Sequence, residues 1–287
     1  MKTTLGIIGQ GFVGTAVNEG LAKHYKIETY DIAKETTCKS LEEINDKSDI
    51  IFICLPTPMK SSTNGTCHLG IIEPVLEDLN QLNIFQGFGT VAKTIVIKST
   101  VPPGTTEKWN KQFVALNIVF NPEFLTEANS IEDFKNQNRI IIGGPRPATT
   151  KVRRIFKKAF PKVPIIKTGS TTAEMVKYIT NCFLATKVSF ANEMYNMCNK
   201  LDIDYDKVIE YAVHDERLGY SHWEVPGPDG KVGFGGSCFP KDILAMITIG
   251  EEFGMDLNTL QGAWETNTEV RPERDWEKLK GRAVVKK

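Results

Sequence analysis

The sequence predicts an α/β fold, a doubly wound parallel sheet followed by an all-helical domain, on three observations. Short β-branched runs alternate with helical patterns over the first 169 residues, which is the mark of parallel strands joined by crossover helices. A glycine-rich turn follows the first of those runs. From about Thr171 the pattern changes to near-continuous helix, with apolar residues at three- and four-residue spacing over 173–201. We therefore expect two domains, 1–169 and 170–287, the second built on a long central helix.

The strand runs are residues 5–8, 26–30, 50–54, 94–98, 118–120, 139–142 and 164–167, with a faint second β-α-β echo over 94–167. After the first run, Gly9-Gln10-Gly11-Phe12-Val13-Gly14 opens a helix expected over 12–24. Gly9 permits the tight strand-to-helix turn, Gly11 lets a pyrophosphate approach the backbone, and Gly14 lets helix and strand pack closely. The free amides at this helix start, with Phe12 and Val13 in its first turn, face the phosphates. Asp31 ends the second strand, where an acid hydrogen-bonds the adenosine ribose and repels a 2′-phosphate. This is a Rossmann-type pattern that predicts NAD over NADP; the alternative for Asp31 is an ordinary turn or cap.

Three polar motifs follow later strands: Leu55-Pro56-Thr57-Pro58, Lys98-Ser99-Thr100-Val101-Pro102-Pro103-Gly104-Thr105-Thr106, and Asn121-Pro122-Glu123-Phe124-Leu125-Thr126-Glu127. Ligands of such sheets bind beyond the carboxyl ends of the strands. Pro56, Thr57, Ser99 and Thr100 are thereby candidate cofactor contacts, with turn chemistry as the alternative.

In the second domain a helix over 205–213 precedes a loop rich in glycine and proline, 219–236, and helices resume near Ile243 and Leu257. That loop leads into Val232-Gly233-Phe234-Gly235-Gly236-Ser237-Cys238-Phe239-Pro240-Lys241-Asp242. A thiol set among glycines is open to a substrate carbon, and Lys241 and the amides of the next turn favour its nucleophilic thiolate. The alternative for Cys238 is a small buried core residue. Residues 271–287 are charged and expected to fray or pack loosely.

Composition narrows the class. Thirty-five basic side chains balance 35 acidic ones, which argues against a nucleic-acid or membrane-surface protein. No apolar run approaches the ~18 residues of a membrane span. The Met-Lys-Thr-Thr start leads directly into a strand, so a cytoplasmic protein is expected. The six cysteines show no CxxC spacing, so neither a disulfide framework nor a metal site is expected. His214 and His222 read as hydrogen-bonding or substrate-contacting groups.

These motifs, together with Glu174-Met175-Val176-Lys177-Tyr178-Ile179-Thr180-Asn181, match in order and placement those of the nucleotide-sugar dehydrogenases. The chain resembles the UDP-glucose 6-dehydrogenase and GDP-mannose dehydrogenase family over essentially its whole length. The family usually continues into a second dinucleotide-like domain, so the sequence reads as a short form without it. The resemblance implies oxidation of a primary alcohol to a carboxylate in two hydride transfers to NAD, with UDP-glucose as the expected substrate. Cys238 would capture the intermediate aldehyde as a thiohemiacetal, which becomes a thioester. Lys177 and Asn181 would stabilise oxyanions. Thr100 and Asp242 would position a water, and Glu123 would act as base for thioester hydrolysis. Glu127 would lie against the nicotinamide. Glu123, Phe124, Leu125, Phe234 and Gly235 would contact the substrate, and Arg217 would reach the sugar in a neighbouring subunit. That last role implies a homodimer through the central helix.

Several readings stay open. Lys177 reads also as a surface lysine, Asp242 as a helix N-cap, and Phe234 either as a stacking ring for the base or as packing under its loop. Within 219–236, Trp223 offers a stacking face and Lys231 a charge for the diphosphate, against a simple connecting loop. Two other functions compete. One is a one-step β-hydroxyacid dehydrogenase, which shares the layout and a catalytic lysine but needs no glycine-embedded cysteine; the other is a non-catalytic NAD-binding protein.

Overall fold

The computed structural model describes residues 3–85 and 92–286. Met1, Lys2 and Lys287, at the ends of the start and tail read above, lie outside the described residues. The chain forms two compact units, Met1–Thr57 with Leu69–Lys177, and Pro58–His68 with Tyr178–Lys287.

The first unit is a seven-stranded sheet: β1 (Thr4–Ile8), β2 (Lys26–Tyr30), β3 (Ile50–Ile53), β6 (Lys93–Ile97), β7 (Leu116–Phe120), β8 (Ile140–Gly143) and β9 (Ile165–Thr168); β4 (Met59–Ser61) and β5 (Asn64–Cys67) belong to the second unit. Its order is β2-β1-β3-β6-β7-β8-β9. All seven expected strands are present, each within two residues of its expected ends. The inner strands β1, β3, β6 and β8 are buried along nearly their whole length because helices cover both faces, whereas the edge strands β2 and β9 are partly exposed. Leu5, Ile7, Phe52, Val96 and Val119 point to one core, lined by α1 (Phe12–Leu21), α5 (Ser130–Lys135) and α6 (Ala148–Ala159). Ile8, Ile51, Ile53, Ile95, Ile97, Ile118 and Phe120 point to the other, lined by α2 (Leu41–Lys47), α3 (Ile72–Phe85) and α4 (Thr105–Gln112). Each such side chain, fully buried, contributes about 1.5–3 kcal/mol.

Two expectations are corrected. The helix expected to reach His24 stops at Leu21, and a turn closes it where His24 N–H bonds back to the Leu21 carbonyl. The sheet is not wholly parallel, since β8 meets β7 antiparallel at Phe120 and Gly143, and β9 then pairs parallel with β8. A β-branched run shows that a strand forms but not which way it points, since strand direction is set by the path of the connecting chain. Chain order makes β1 and β3 neighbours, and the crevice beyond their carboxyl ends is the topological switch point.

The second unit is built on α7 (Ser170–Leu201), which begins in the first unit, with α8 (Tyr205–Ala212), α9 (Phe239–Glu252) and α10 (Asn258–Val270). It also holds an unexpected hairpin, β4 (Met59–Ser61) with β5 (Asn64–Cys67). These strands are too short to show an alternation in sequence. The tail expected to be loose is packed: Arg271, Trp276, Ala283 and Val284 are buried, and Val284 bridges to Met59. Its apolar anchors, Trp276 above all, outweigh the charged residues between them.

Candidate active site

In the first unit the glycine turn fits its expected part. Gly9 adopts φ +89°, and its N–H donates to the Tyr30 carbonyl at 2.9 Å. A Cβ on Gly14 would lie 1.9 Å from the Gly9 carbonyl oxygen, so only glycine lets α1 start this close to β1. A Cβ on Gly11, the N-cap of α1, would meet nothing within 4 Å. That open cradle, with the amides of Phe12 and Val13 behind it, suits a phosphate. Asp31 lies beside this turn: one carboxylate oxygen accepts the Gln10 N–H at 2.6 Å and the other the Ala33 N–H at 2.8 Å. These residues fit a dinucleotide.

The loops beyond the next strands are tied together. Thr57 Oγ1 donates to the Thr100 carbonyl at 2.7 Å, which joins the loop after β3 to the loop after β6. Ser99 Oγ is buried without a hydrogen-bond partner among the described residues, a polar atom available to a ligand. Pro56 and Glu127 are exposed.

Glu123 and Lys177 meet in a buried ion pair. Lys177 Nζ donates to the Glu123 carbonyl at 2.6 Å and to its carboxylate at 2.9 Å, and the other carboxylate oxygen accepts the Leu125 N–H at 2.8 Å. Lys177 is thus not a surface lysine. Burial pushes the Glu123 carboxyl up, but the Lys177 ammonium and the Leu125 amide outweigh it and hold it below the ordinary carboxylate range. Phe124 carries the Arg139 guanidinium 4.3 Å from its ring centroid. A cavity of about 310 Å³ opens beside these groups, lined by Glu123, Phe124, Leu125, Asp133 and Arg139 among others.

Two residues of this unit received no role from the sequence. Lys98, buried at the end of β6, donates to Asn121 Oδ1 at 2.9 Å and to the Pro122 carbonyl at 3.4 Å, and so holds the segment leading to Glu123. Glu174, buried in the first turn of α7, accepts the Gly104 N–H at 2.6 Å, the Thr106 N–H at 2.8 Å and the Thr106 hydroxyl at 2.5 Å. It caps α4 and anchors α7 just before Lys177. Both stand inside motifs quoted above, and a charged residue abutting an apolar run was the available signal.

In the second unit Cys238 is the N-cap of α9 and half-buried, whereas the other five cysteines are buried. Asp242, one turn into α9, is fully buried. Its carboxylate accepts from Asn181 Nδ2 at 2.6 Å on one oxygen and from the Lys241 ammonium on the other. Asp242 is therefore not the N-cap of its helix. Burial would lower the Lys241 pKa, but the Asp242 carboxylate overrides it and raises the value, with Cys67 and Cys238 adding in the same direction.

The loop over 219–236 is anchored, not merely connecting. Trp223 is 8% exposed, its indole N–H donates to the Gly219 carbonyl at 2.9 Å, and Lys187 Nζ lies 4.6 Å from its ring centroid. The expectation of a free stacking face at Trp223 is corrected by that burial. Phe234 is buried, with its ring against Phe239 and Trp264, which is the packing arrangement of the two considered. Lys231 pairs with Glu273 at 3.1 Å. Arg217 is exposed and forms a two-point pair with Asp215. His222 adopts φ +68° with its Nδ1 buried and unbonded among the described residues. No group of three metal-ligating side chains occurs among the described residues.

The sheet carries a glycine turn that fits a dinucleotide, with an acidic residue beside it, and the comparisons with known proteins identify the class of domain. The model of the NAD binding domain of the UDP-glucose/GDP-mannose dehydrogenase family matches residues 34–160, and that of the family's central domain matches 171–269. UDP-glucose 6-dehydrogenase AglM of Haloferax volcanii is 31% identical over 97% of this chain and 72% of its own length. UDP-glucose 6-dehydrogenase TuaD of Bacillus subtilis is 35% identical over 78% of this chain and 47% of its own. Among solved structures, a UDP-glucose dehydrogenase from Pyrobaculum islandicum superposes with a TM-score of 0.84 at 29% identity, over 94% of this chain and 68% of that one. The 3-hydroxyisobutyrate dehydrogenase of Mycobacterium tuberculosis shares the fold, with a TM-score of 0.75 at 15% identity, over 96% and 95% of the two chains. The chain belongs to the UDP-glucose/GDP-mannose dehydrogenase family and carries its NAD-binding domain. It spans about half the length of TuaD and nearly three quarters of AglM.

Proposed function

We propose that this chain oxidises the C6 alcohol of a nucleotide sugar to the carboxylate, in the manner of UDP-glucose to UDP-glucuronate, with NAD. NAD, held by Gly9, Gly11, Phe12, Val13, Gly14, Asp31, Pro56, Thr57, Ser99, Thr100 and Glu127, supplies the hydride acceptor for each of two oxidations. In the first, Thr100 and Asp242 orient the water that takes the alcohol proton, while Lys177 and Asn181 stabilise the alkoxide. The Cys238 thiolate then adds to the aldehyde carbon to give a thiohemiacetal, and hydride loss leaves a thioester. Glu123 draws a proton from the water that displaces the thiolate and releases the acid.

The observation that carries this reading is Cys238 at the head of α9, half-open, on the same helix turn as an Asp242 already bonded to Asn181. A one-step β-hydroxyacid dehydrogenase gives no work to that thiol, and the fold likeness to such an enzyme speaks only of architecture. The test is a panel of UDP- and GDP-sugars in which NADH is counted against acid formed. Two NADH per acid on a nucleotide sugar supports the reading; NADH formation on small hydroxyacids alone removes it.

We further propose a homodimer through α7. Ile179, Phe183, Phe190, Met197 and Leu201 are exposed along it, an apolar stripe larger than scattered surface residues produce. Light scattering of wild type and Phe183→Asp decides this: a monomer in both rejects the dimer. We propose a cytoplasmic location as well, since nucleotide sugars and NAD meet there. No helix among the described residues is long and apolar enough to cross a membrane.

A further inference from the structure

The backbone that leads into Cys238 is held almost group by group by side chains from elsewhere in its unit. Gly233 N–H donates to Asn192 Oδ1 at 3.1 Å. Phe234 N–H donates to Asn267 Oδ1 at 2.7 Å, and its carbonyl accepts from Asn267 Nδ2 at 3.0 Å. The remaining ties converge on Arg271, which is 1% exposed. Its Nη1 donates to the carbonyls of Val232 at 3.3 Å and Gly233 at 3.5 Å. Its Nη2 donates to Asp229 at 2.6 Å and its Nε to Asp275 at 2.7 Å. The second oxygen of Asp275 accepts the Gly236 N–H at 3.5 Å, two residues before Cys238. One guanidinium, with its two carboxylates, therefore links the loop at 229, 232, 233 and 236.

Gly235 shows how closely the cation crosses this backbone. A Cβ there would lie 2.4 Å from Arg271 Nη2 and 2.7 Å from Asp275 Oδ1. The glycine is required by the side chain passing over it. Such a site suits arginine in particular, because a planar fork donates in several fixed directions at once and an ammonium on a flexible stem does not. A buried cation with two carboxylates is a costly way to gain stability alone, and an apolar cluster of that volume often does as well. The polar version fixes geometry.

We propose that Arg271 is a positioning residue for Cys238: clamped by Asp229 and Asp275, it holds the 229–238 loop in the single conformation that presents the thiol at the head of α9. The inference rests on the thiol chemistry proposed above, and it assigns work to the segment after α10.

The test uses the full chain carrying Arg271→Lys, Asp275→Asn, Gly235→Ala, or Gly235→Ala with Arg271→Lys, beside Arg271→Ala. Hydrogen exchange of the peptide covering 229–240 is expected to quicken by roughly tenfold or more in the single variants, with the rest of the chain unchanged. With a nucleotide sugar as substrate, Arg271→Lys and Asp275→Asn are expected to keep NADH affinity and the first oxidation. Acid yield should fall by about ten- to a hundredfold, with aldehyde released. The Gly235 and Arg271 substitutions should combine to less than the product of their separate effects, as residues in contact do. Wild-type loop exchange and acid yield in both Arg271→Lys and Asp275→Asn overturn the proposal, as does faster exchange spread over the whole unit. If Arg271→Ala fails to fold, the milder variants decide. If Cys238→Ser still forms acid at the full rate, it is the thioester reading that fails, and loop exchange with the double-variant comparison still judges the clamp.

Discussion

Lys177 grips Glu123 twice, at its carbonyl and at its carboxylate, with both side chains more than nine-tenths buried. The pair fixes where the proposed oxyanion cation and the proposed base sit relative to each other before any substrate arrives.

Breaking the pair leaves a buried carboxylate alone, which costs about 3–5 kcal/mol when one partner of such a pair is removed. Lys177→Met is therefore expected to lower the melting temperature by many degrees, and Lys177→Met with Glu123→Gln by less. The sign with pH follows from the depressed Glu123 value. Its stabilisation is complete above the unfolded carboxylate value of about 4.3 and fades as pH falls through the lower folded value. Urea titrations of wild type and Lys177→Met that stay equally separated from pH 7 down to pH 2 would contradict this.

Cys238→Ser should bind NADH as wild type does yet yield no carboxylate, because a serine hydroxyl has almost no anion near neutral pH. Product analysis checks it. Full acid formation by the variant rules out the thioester route.

At Asp31 the carboxylate already accepts the Gln10 N–H. Asp31→Asn keeps an acceptor oxygen for that amide but removes the charge that repels a 2′-phosphate. The ratio of kcat/KM for NAD over NADP should fall by about tenfold, the scale of one lost charge interaction. Equal use of both cofactors by the unaltered protein would show that Asp31 does not face the ribose.

Local signals made the sheet legible: Gly9 and Gly14 act at the turn as their spacing implies, and the β-branched runs fall where the strands are. The reversal at β8 was hidden because strand direction depends on the path of the chain between β7 and β8, not on any residue within β8. Motifs marked Lys177, Asn181 and Asp242 as candidates, but did not show which side chains they pair with. Nothing local reveals that Asn181 reaches Asp242 across 61 positions of chain. The same holds for the tail, where charge outnumbers apolar residues while Trp276 and Arg271 decide the packing. Trp223 was misjudged for the converse reason, since a tryptophan in a loop rich in glycine and proline carries no sign of the pocket that buries it.

That burial changes what Trp223→Ala should do. The indole shares a buried cluster with Tyr205, meets Phe190 edge-on and accepts Lys187 over its face. Truncation is expected to cost about 3–5 kcal/mol. A loss of sugar affinity at unchanged thermal stability would instead restore the stacking role.

Lys98 offers a test in the alkaline range. Burial lowers its pKa to about 8, with Lys177 adding in the same direction and the Glu123 carboxylate pulling upward less strongly. Cys54, pushed up by burial to about 12, stays protonated across that interval. An unfolded lysine titrates near 10.4, so between about pH 8 and 10 the unfolded chain holds the Lys98 proton more tightly than the native one. Unfolding free energy from this group then rises with pH, because stability rises wherever the unfolded state binds more protons. Lys98→Met removes that term together with the ties to Asn121 and Pro122. Wild type should accordingly gain on the variant as pH increases from 7.5 to 10, by at most about 3 kcal/mol. Denaturant titrations at several pH values measure the difference directly, and one that does not grow with pH would mean that Lys98 keeps its proton in the folded protein.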